Sequence, residues 1–406
     1  MVDDNTYNVR LAESDGEKVV ISFAGRINMQ SCDDIEKAIE QIRADHPDGT
    51  PVFDFEHVSY ISSAGLRVLI RFNNKEKGVV RIINVPVEIM DIFDQTGFTS
   101  IFDIYKAVKH YDMKGLQKIA QGANGEVYRL DNENIVKVFA EKAPIETIER
   151  ERELAKQALI FGIPTALSYT VSIMEEEGKP DRYGIVFEAL DADTLSIVLK
   201  EHPDAYEQYV NEYTKLYKTI HETEDDAGAF SSIKKIYMEA IEECSAYYTD
   251  EEVSKLRALV EAVPDRKTLI HGDYHPNNIM VQDGELMLID MGDMSIGHPI
   301  FDFLATAATQ VNLVKLSPEY AEFHTRMPAE LISRTWDRLM EGYFAEYTTE
   351  ERERIEKQIC DYSKLKVALA PYFGRGAAEE IIRASVDDAK ANFIPMLDEL
   401  TGAVDW

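Results

Sequence analysis

Residues 269–293 read LIHGDYHPNNIMVQDGELMLIDMGD, and this stretch decides how the larger part of the chain folds. Ile279, Met280 and Val281 form a short apolar run, Asp283-Gly284 is a turn signal, and Leu286 to Ile289 form a second run that ends at Asp290. A tight hairpin over these residues brings Asn278 back beside Asp290. The loop before it has the form HGDxxxxN, with Asp273 and Asn278 at its ends. One carboxylate to orient an attacking hydroxyl, with a neutral oxygen donor and a second carboxylate to hold metal ions, is what phosphoryl transfer from a magnesium-bound nucleoside triphosphate requires. Asp273, Asn278 and Asp290 supply that set from one loop and hairpin. Taken singly, each is an ordinary surface acid or loop asparagine. The order and the position of the turn carry the signal.

The segment upstream, GLQKIAQGANGEVYRLDNENIVKVFA (115–140), predicts antiparallel strands, with Asp131 to Asn134 as a turn. Gly122 and Gly125 flank Ala123 and Asn124 at the first turn, where small residues let backbone amides approach phosphates. Hairpins use glycine anyway, so the turn gains weight from Lys137, which stands at the centre of the apolar run Ile135-Val136-Lys137-Val138-Phe139. A lysine so placed either points outward or is paired. A helix follows in APIETIERERELAKQALIFGIP (143–164), with Glu146, Glu149, Glu151 and Glu153 as its acids. Arg182 to Leu190 has a buried-strand pattern ending at Asp191. Residues 203–262 and 318–401 carry apolar residues at helical spacing, and Tyr206, Tyr209, Tyr213, Tyr217, Phe344 and Tyr347 read as core. His271 and His275 stand four apart in a loop and read as loop-stabilising hydrogen-bonders rather than metal ligands.

Residues 1 to about 108 follow another pattern. Val19 to Phe23 is a strand closed by Gly25, and Ser31 is placed to cap a helix whose Ile35, Ala38, Ile39 and Ile42 recur at helical spacing. Pro51 to Phe55 and Val79 to Asn84 are strands, and Ala64 to Phe72 and Val87 to Phe93 are helices. Alternation of this kind makes an α/β domain. Ser62 and Ser63 precede a small-residue pair at a helix start, where free N–H groups and the positive dipole end would stabilise a phosphate. A plain serine N-cap explains the same residues.

The chain has 406 residues, 45% hydrophobic and 29% charged, with a formal net charge of −31. That composition describes a globular protein with real cores. The charge argues against nucleic acid and anionic membranes as partners and would attract a cationic substrate, although solubility alone accounts for it. There is no run of 18 apolar residues and no apolar N-terminal region of the signal-peptide kind. Cys32, Cys244 and Cys360 show neither disulfide nor zinc spacing, which suits a reducing cytoplasm.

Two resemblances follow from these residues. The segment from His271 to Asp293 resembles the catalytic core of the aminoglycoside phosphotransferase and choline kinase-like family, relatives of the protein kinases. GIPTALSYT, GELMLIDMGD and IGHPIFD resemble a bacterial group of phosphotransferase-like kinases within it. The resemblance implies an α+β bilobal fold over 113–406, with a small lobe to about 190 and a helical large lobe from about 191. It implies that Asp273 is the catalytic base or orienter, that Asn278 and Asp290 are magnesium ligands, and that Lys137 pairs with ATP phosphates and a helix glutamate. It favours Glu151 as that glutamate, with Glu149 close behind. The glycine turn of Gly122, Asn124 and Gly125 would cover the phosphates, and the backbone of Glu188 and Leu190 would meet the adenine. Base choice lies in backbone and pocket shape, so the nucleotide is ATP or GTP. Protein kinases usually carry HRD where this chain has His271-Gly272-Asp273. Asp293 matches a second acid, Asp302 a structural one, and His298 stands where many relatives have Asp. Acceptor contacts are expected from Arg334 to Tyr347 and from PYFGRGAAEE (371–380).

FAGRIN, VFDFEHVSYISSAGLRVLI and RIINVPVEIMDIFDQTGF resemble the STAS domain of bacterial anti-anti-sigma factors over about 8–108. Relatives usually carry Asp-Ser-Ser/Thr-Gly there. Alignment on Gly65 places Ser63 at the phosphoacceptor and Ser62 at the Asp, so Ser63 is the first candidate and Ser62 the second. The combined expectation is an α/β STAS domain (1–108) ahead of a magnesium- and ATP-dependent phosphotransferase with a hydroxyl-bearing small-molecule acceptor. The alternative is a signalling adaptor in which the STAS domain binds an anti-sigma-type partner and the kinase-like domain senses nucleotide or phosphorylates Ser63.

Overall fold

The computed structural model describes residues 7–14, 18–76, 79–122, 125–374 and 378–406. The chain divides into two units, 1–111 and 112–406. The first contains β1 (Tyr7–Ser14), β2 (Lys18–Ile27), α1 (Cys32–Asp45), β3 (Thr50–Ile61), α2 (Ser63–Lys75), β4 (Arg81–Val85), α3 (Val87–Thr96) and β5 (Asp103–Lys106). The sheet order is β1-β2-β3-β4-β5, with β1 antiparallel to β2 and the other pairs parallel. The apolar residues of the central strands meet the helix stripes in one core, where Phe53 and Phe55 each lie 5.0 Å from Phe23, centroid to centroid. Strand β1 is exposed almost throughout, although its Tyr7, Val9 and Leu11 alternate with Asn8 and Arg10.

Ser31 departs from expectation. It is buried, its backbone is already helical, and it makes no side-chain cap. Its Oγ donates instead to the Arg26 carbonyl at 3.0 Å and accepts from the Asn28 N–H at 2.9 Å, pinning the turn that leaves β2.

Strand β6 (Lys109–Asp112) crosses the boundary between the units. The small lobe then holds β7 (Gln117–Gln121), β8 (Gly125–Arg129), β9 (Asn134–Phe139), α4 (Ile145–Ile160), β10 (Ser168–Glu175) and β11 (Arg182–Glu188). Its antiparallel neighbours run β10-β11-β9-β8-β7. Asp131 closes the β8–β9 turn by accepting from the N–H groups of Glu133 and Asn134 at 2.8 and 2.9 Å.

In the large lobe, β12 (Asp193–Thr194) leads to α5 (Leu195–Glu201), α6 (Tyr206–Glu222), α7 (Ile233–Glu243) and α8 (Asp250–Ala262). β13 (Leu269–Ile270), β14 (Ile279–Gln282), β15 (Glu285–Leu288) and β16 (Ser295–Ile296) frame the loop and hairpin. Asp283 and Gly284 have φ of 51° and 86°, the doubly left-handed turn that suits the twist of a two-residue hairpin. The rest is helical: α9 (Ile300–Ala307), a π-helical turn (Ala308–Asn312), α10 (Leu313–Leu316), α11 (Pro318–Thr325), α12 (Ala329–Tyr343), α13 (Thr349–Ala368), α14 (Ala370–Phe373), α15 (Glu379–Asn392) and α16 (Leu397–Leu400). Tyr206, Tyr213, Tyr217 and Phe344 are buried in one continuous core, whereas Tyr209 is half-buried and Tyr347 reaches the surface. No helix of the described residues is long and apolar enough to cross a membrane.

Candidate active site

The hairpin does what its sequence implies. The Ile289 N–H donates to the Asn278 carbonyl at 2.9 Å, which sets Asn278 beside the exit of β15. Asp290, the next residue, has left-handed backbone, φ 60° and ψ 64°. Its Oδ1 accepts from Lys137 Nζ at 2.8 Å, and the same ammonium bonds Glu151 Oε1 at 2.7 Å. Lys137 therefore points into the cleft rather than outward and ties β9, α4 and the hairpin together. Burial opposes its charge, but Asp290 and Glu151 outweigh that and raise its pKa. Of the helix acids, Glu151 is buried, Glu153 is half-buried, and Glu146 and Glu149 are exposed. Helix α4 comes close because residue 292 is glycine: a Cβ there would stand 3.3 Å from Glu151 Oε2.

Asp273 lies at the other end of the loop, its side chain 41% exposed. Asn278 Nδ2 donates both to its carbonyl and to its Oδ2, each at 3.0 Å. That orients the amide, and among the described residues no hydrogen bond engages Asn278 Oδ1. Desolvation in the cleft opposes ionisation of Asp273, but His275, Lys366 and His271 outweigh it and hold the carboxyl well below the usual range. Asp293 goes the other way: burial raises its pKa, and Asp273 and Asp290 add to the rise.

Gly272 explains why the arginine of HRD has no place here. Its φ is 87°, and a Cβ would lie 2.7 Å from Asp293 Cβ and 2.8 Å from the Asp293 carbonyl oxygen. The turn is fixed from below by fully buried Asp302, which accepts from the N–H groups of His271 and Gly272, each at 2.9 Å. Asp302 is itself bonded to His221 Nε2 at 3.0 Å, and Tyr343 Oη lies 2.9 Å from His221 Nδ1. His271 and His275 accept from the N–H groups of Asp273 and Asn277 through Nδ1, at 3.3 and 3.2 Å, so both serve the loop as expected. His298 accepts from the Ile300 N–H at Nδ1, which leaves Nε2 to donate to the Trp406 carbonyl at 2.8 Å.

The glycine turn and the end of β11 present backbone groups. The Gly122 N–H donates to the Gly125 carbonyl at 2.9 Å; Asn124, between them, lies outside the described residues. Gly125 must be glycine, since a Cβ would meet the Val138 carbonyl oxygen at 2.4 Å. The Glu188 N–H is taken by the Leu167 carbonyl at 2.9 Å, and among the described residues no hydrogen bond engages the Leu190 N–H. The donor set suits a divalent cation in one respect: Asn278 Oδ1 and the second oxygen of Asp290 are hard oxygen donors. Among the described residues no group of three or more His, Cys, Asp or Glu makes a closed metal cage. Such a cation would have to complete its shell with water and phosphate oxygens.

The sequence missed Lys366, His221 and Tyr343. Arg334 and Arg338 of α12, in the region expected to meet an acceptor, are bonded to Glu207 at 3.0 and 2.8 Å. Lys366, from α13, bonds the loop itself through the Gly272 carbonyl, at 3.3 Å.

Comparison with known proteins agrees with this architecture. Residues 115–353 match the model of the APH phosphotransferase enzyme family, and residues 8–110 match the STAS domain. No curated protein sequence matches the chain. Similar solved structures include the ADP-bound aminoglycoside phosphotransferase APH(2'')-Ib (15% identity, 77% of this chain and 99% of that one, TM-score 0.46). Another is an amicoumacin kinase with AMP-PNP and Ca2+ (15% identity, 77% and 96% covered, TM-score 0.44). A third is a choline/ethanolamine kinase family protein from Mesorhizobium loti (14% identity, 71% and 92% covered, TM-score 0.41). With a family match over 115–353, more than half of the chain, and a STAS domain ahead of it, the chain belongs to the phosphotransferase enzyme family.

Proposed function

We propose that the chain is an ATP-dependent phosphotransferase whose acceptor is a hydroxyl group, on a small molecule, with the STAS domain serving regulation or partner binding. The observation that carries this reading is Lys137, bonded at once to Glu151 and Asp290, together with an Asn278 amide whose nitrogen is engaged by Asp273 and whose oxygen has no hydrogen bond among the described residues. Asp273, whose carboxyl is held well below the usual range, accepts the hydrogen bond of the acceptor hydroxyl and aims its oxygen at the γ-phosphorus. Lys137, held by Glu151, meets the nucleotide phosphates. The Gly122–Gly125 turn covers them, and the Leu190 N–H and the Glu188 backbone meet the base, adenine or guanine. Asn278 Oδ1 and Asp290 would hold a divalent cation, magnesium by preference, which when bound neutralises phosphate charge.

A second reading rests on Ser63. It is exposed at the first turn of α2, a turn that carries no acid, so a phosphate there meets no like charge on that turn. In this version Ser63 is the acceptor, in cis or on another copy, and the phosphorylated STAS domain changes its affinity for an anti-sigma-type partner.

Intact-mass measurement and phosphosite mapping after incubation with Mg·ATP, alone and with candidate hydroxyl acceptors, separate the readings. Transfer to an added acceptor supports the first; one phosphoryl group on Ser63 supports the second. In either case Asp273→Asn abolishes transfer. Full activity in that variant overturns the assignment of the loop.

A further inference from the structure

Lys366 has no part in the set of groups assigned above, and its surroundings are unusual for a helix lysine. It lies on α13, with Nζ 3.3 Å from the Gly272 carbonyl and 5.4 Å from the centre of the Phe373 ring. An ammonium carries three donors, and here, among the described residues, one long hydrogen bond uses one of them. Its neighbours Lys357 and Lys364 are paired with Asp361, at 2.8 and 3.1 Å. Lys366, by contrast, has no carboxylate within ion-pair distance among the described residues, although its charge acts on both Asp273 and Asp293. A lysine that merely covered Phe373 would send its ammonium to solvent. This one stops at the residue before Asp273, with two donors to spare.

The anion that the reaction brings to Asp273 is the transferring phosphoryl group. Resting on the phosphotransferase reading, we propose that Lys366 is a further catalytic residue, which donates to an equatorial oxygen of the γ-phosphoryl group as it passes to the acceptor. The acceptor oxygen forms its bond to the γ-phosphorus while the bond from that phosphorus to the β–γ bridging oxygen breaks. The electron pair stays with ADP, the hydroxyl proton goes to Asp273, and Lys366 keeps its proton throughout. Charge in such a transfer spreads over the equatorial oxygens, where a fixed cation stabilises it. The two lysines then divide the work: Lys137 serves the nucleotide from the small lobe, and Lys366 meets the moving group from the large lobe.

The test compares two nucleotides that differ by the γ-phosphoryl group. Full-length Lys366→Met, Lys366→Gln, Lys366→Arg and Lys364→Met are titrated with Mg·ADP and Mg·AMP-PNP by calorimetry, after thermal melts show each folded. Loss of a charge-assisted hydrogen bond is expected to weaken AMP-PNP about 10-fold in the Met and Gln variants and leave ADP within about twofold. Lys366→Arg recovers most of the loss, and Lys364→Met changes neither ligand. Equal binding of both nucleotides by wild type and Lys366→Met overturns the proposal. So does an equal loss for both, or a fallen melting temperature in the Met and Gln variants alike, since either assigns Lys366 to the scaffold of the loop. Wild-type protein that binds neither nucleotide overturns the phosphotransferase reading itself, and the role of Lys366 with it.

Discussion

In the β3–α2 turn of the first unit, polar groups are served locally: Ser62 Oγ accepts from the Gly65 N–H three residues on, at 3.4 Å, and Ser63 stands open beside it. In the loop and hairpin of the second unit the partners come from far along the chain. Lys137 is 153 residues from Asp290, Lys366 is 94 from Gly272, and His221 is 81 from Asp302. A local cap can fail alone. A network that draws on β9, α4, α6, α9 and α13 at once links the placement of the reacting groups to the packing of both lobes.

The largest expected effect tests that link. Lys137→Met removes the donor shared by Glu151 and Asp290 and should lower phosphoryl transfer roughly 10²–10³-fold in a coupled assay of ADP release. A loss below tenfold would show that the long-range ties do not matter to the chemistry. Next is His298, buried against Trp406. Burial pushes its pKa down to about 4, helped by the charges of Arg266, His221 and Lys234 and opposed by its bond to the Trp406 carbonyl. The unfolded chain takes a proton there near pH 6.5, so between pH 6.5 and 4 it binds more protons than the folded one. Stability from this group is full above pH 6.5 and is lost on acidification, by roughly 3 kcal/mol. Urea melts of His298→Gln should lack that part of the acid dependence, and an unchanged slope would contradict it.

Two smaller effects probe the first unit. Gly65→Ala puts a Cβ 2.6 Å from Ile27 Cγ2 and 2.9 Å from Ile61 Cγ1, and should destabilise the unit by about 2 kcal/mol in chemical denaturation. Ser62→Ala removes the cap and should cost about 1 kcal/mol, while Ser63→Ala should stay within about 0.5 kcal/mol. Equal costs for the two serines would mean that Ser63, too, is structural.

Sequence legibility divides along the same line. Asn278 and Asp290 come together through a hairpin of known turn chemistry, and no distant contact is needed to see it. Strands β2, β3 and β4 of the first unit are legible because their apolar runs are bounded by turns; exposed β1 and the short, partly exposed β5 have no such run. Ser31 does stand at the N-cap of α1, but its hydroxyl serves the preceding turn, a difference that the cap pattern does not show. Glu151 could be preferred to Glu149 only through a family pattern, since the helix offers both acids. Lys366 and His221 were invisible for a physical reason. On an amphipathic helix one polar residue on the inner face resembles a satisfied core residue, and only the fold shows what it touches.

The left-handed backbone at Asp290 has a consequence for how this chain can change over generations. Asparagine and glycine tolerate φ 60°, ψ 64° without much strain, yet neither carries a negative charge; glutamate carries the charge but strains the turn. Dihedral and charge together leave aspartate alone among the coded residues. Drift at that position is therefore blocked twice, once by geometry and once by chemistry, and a lineage that lost the activity would be expected to record it there as Asn or Gly before the surrounding fold showed any trace.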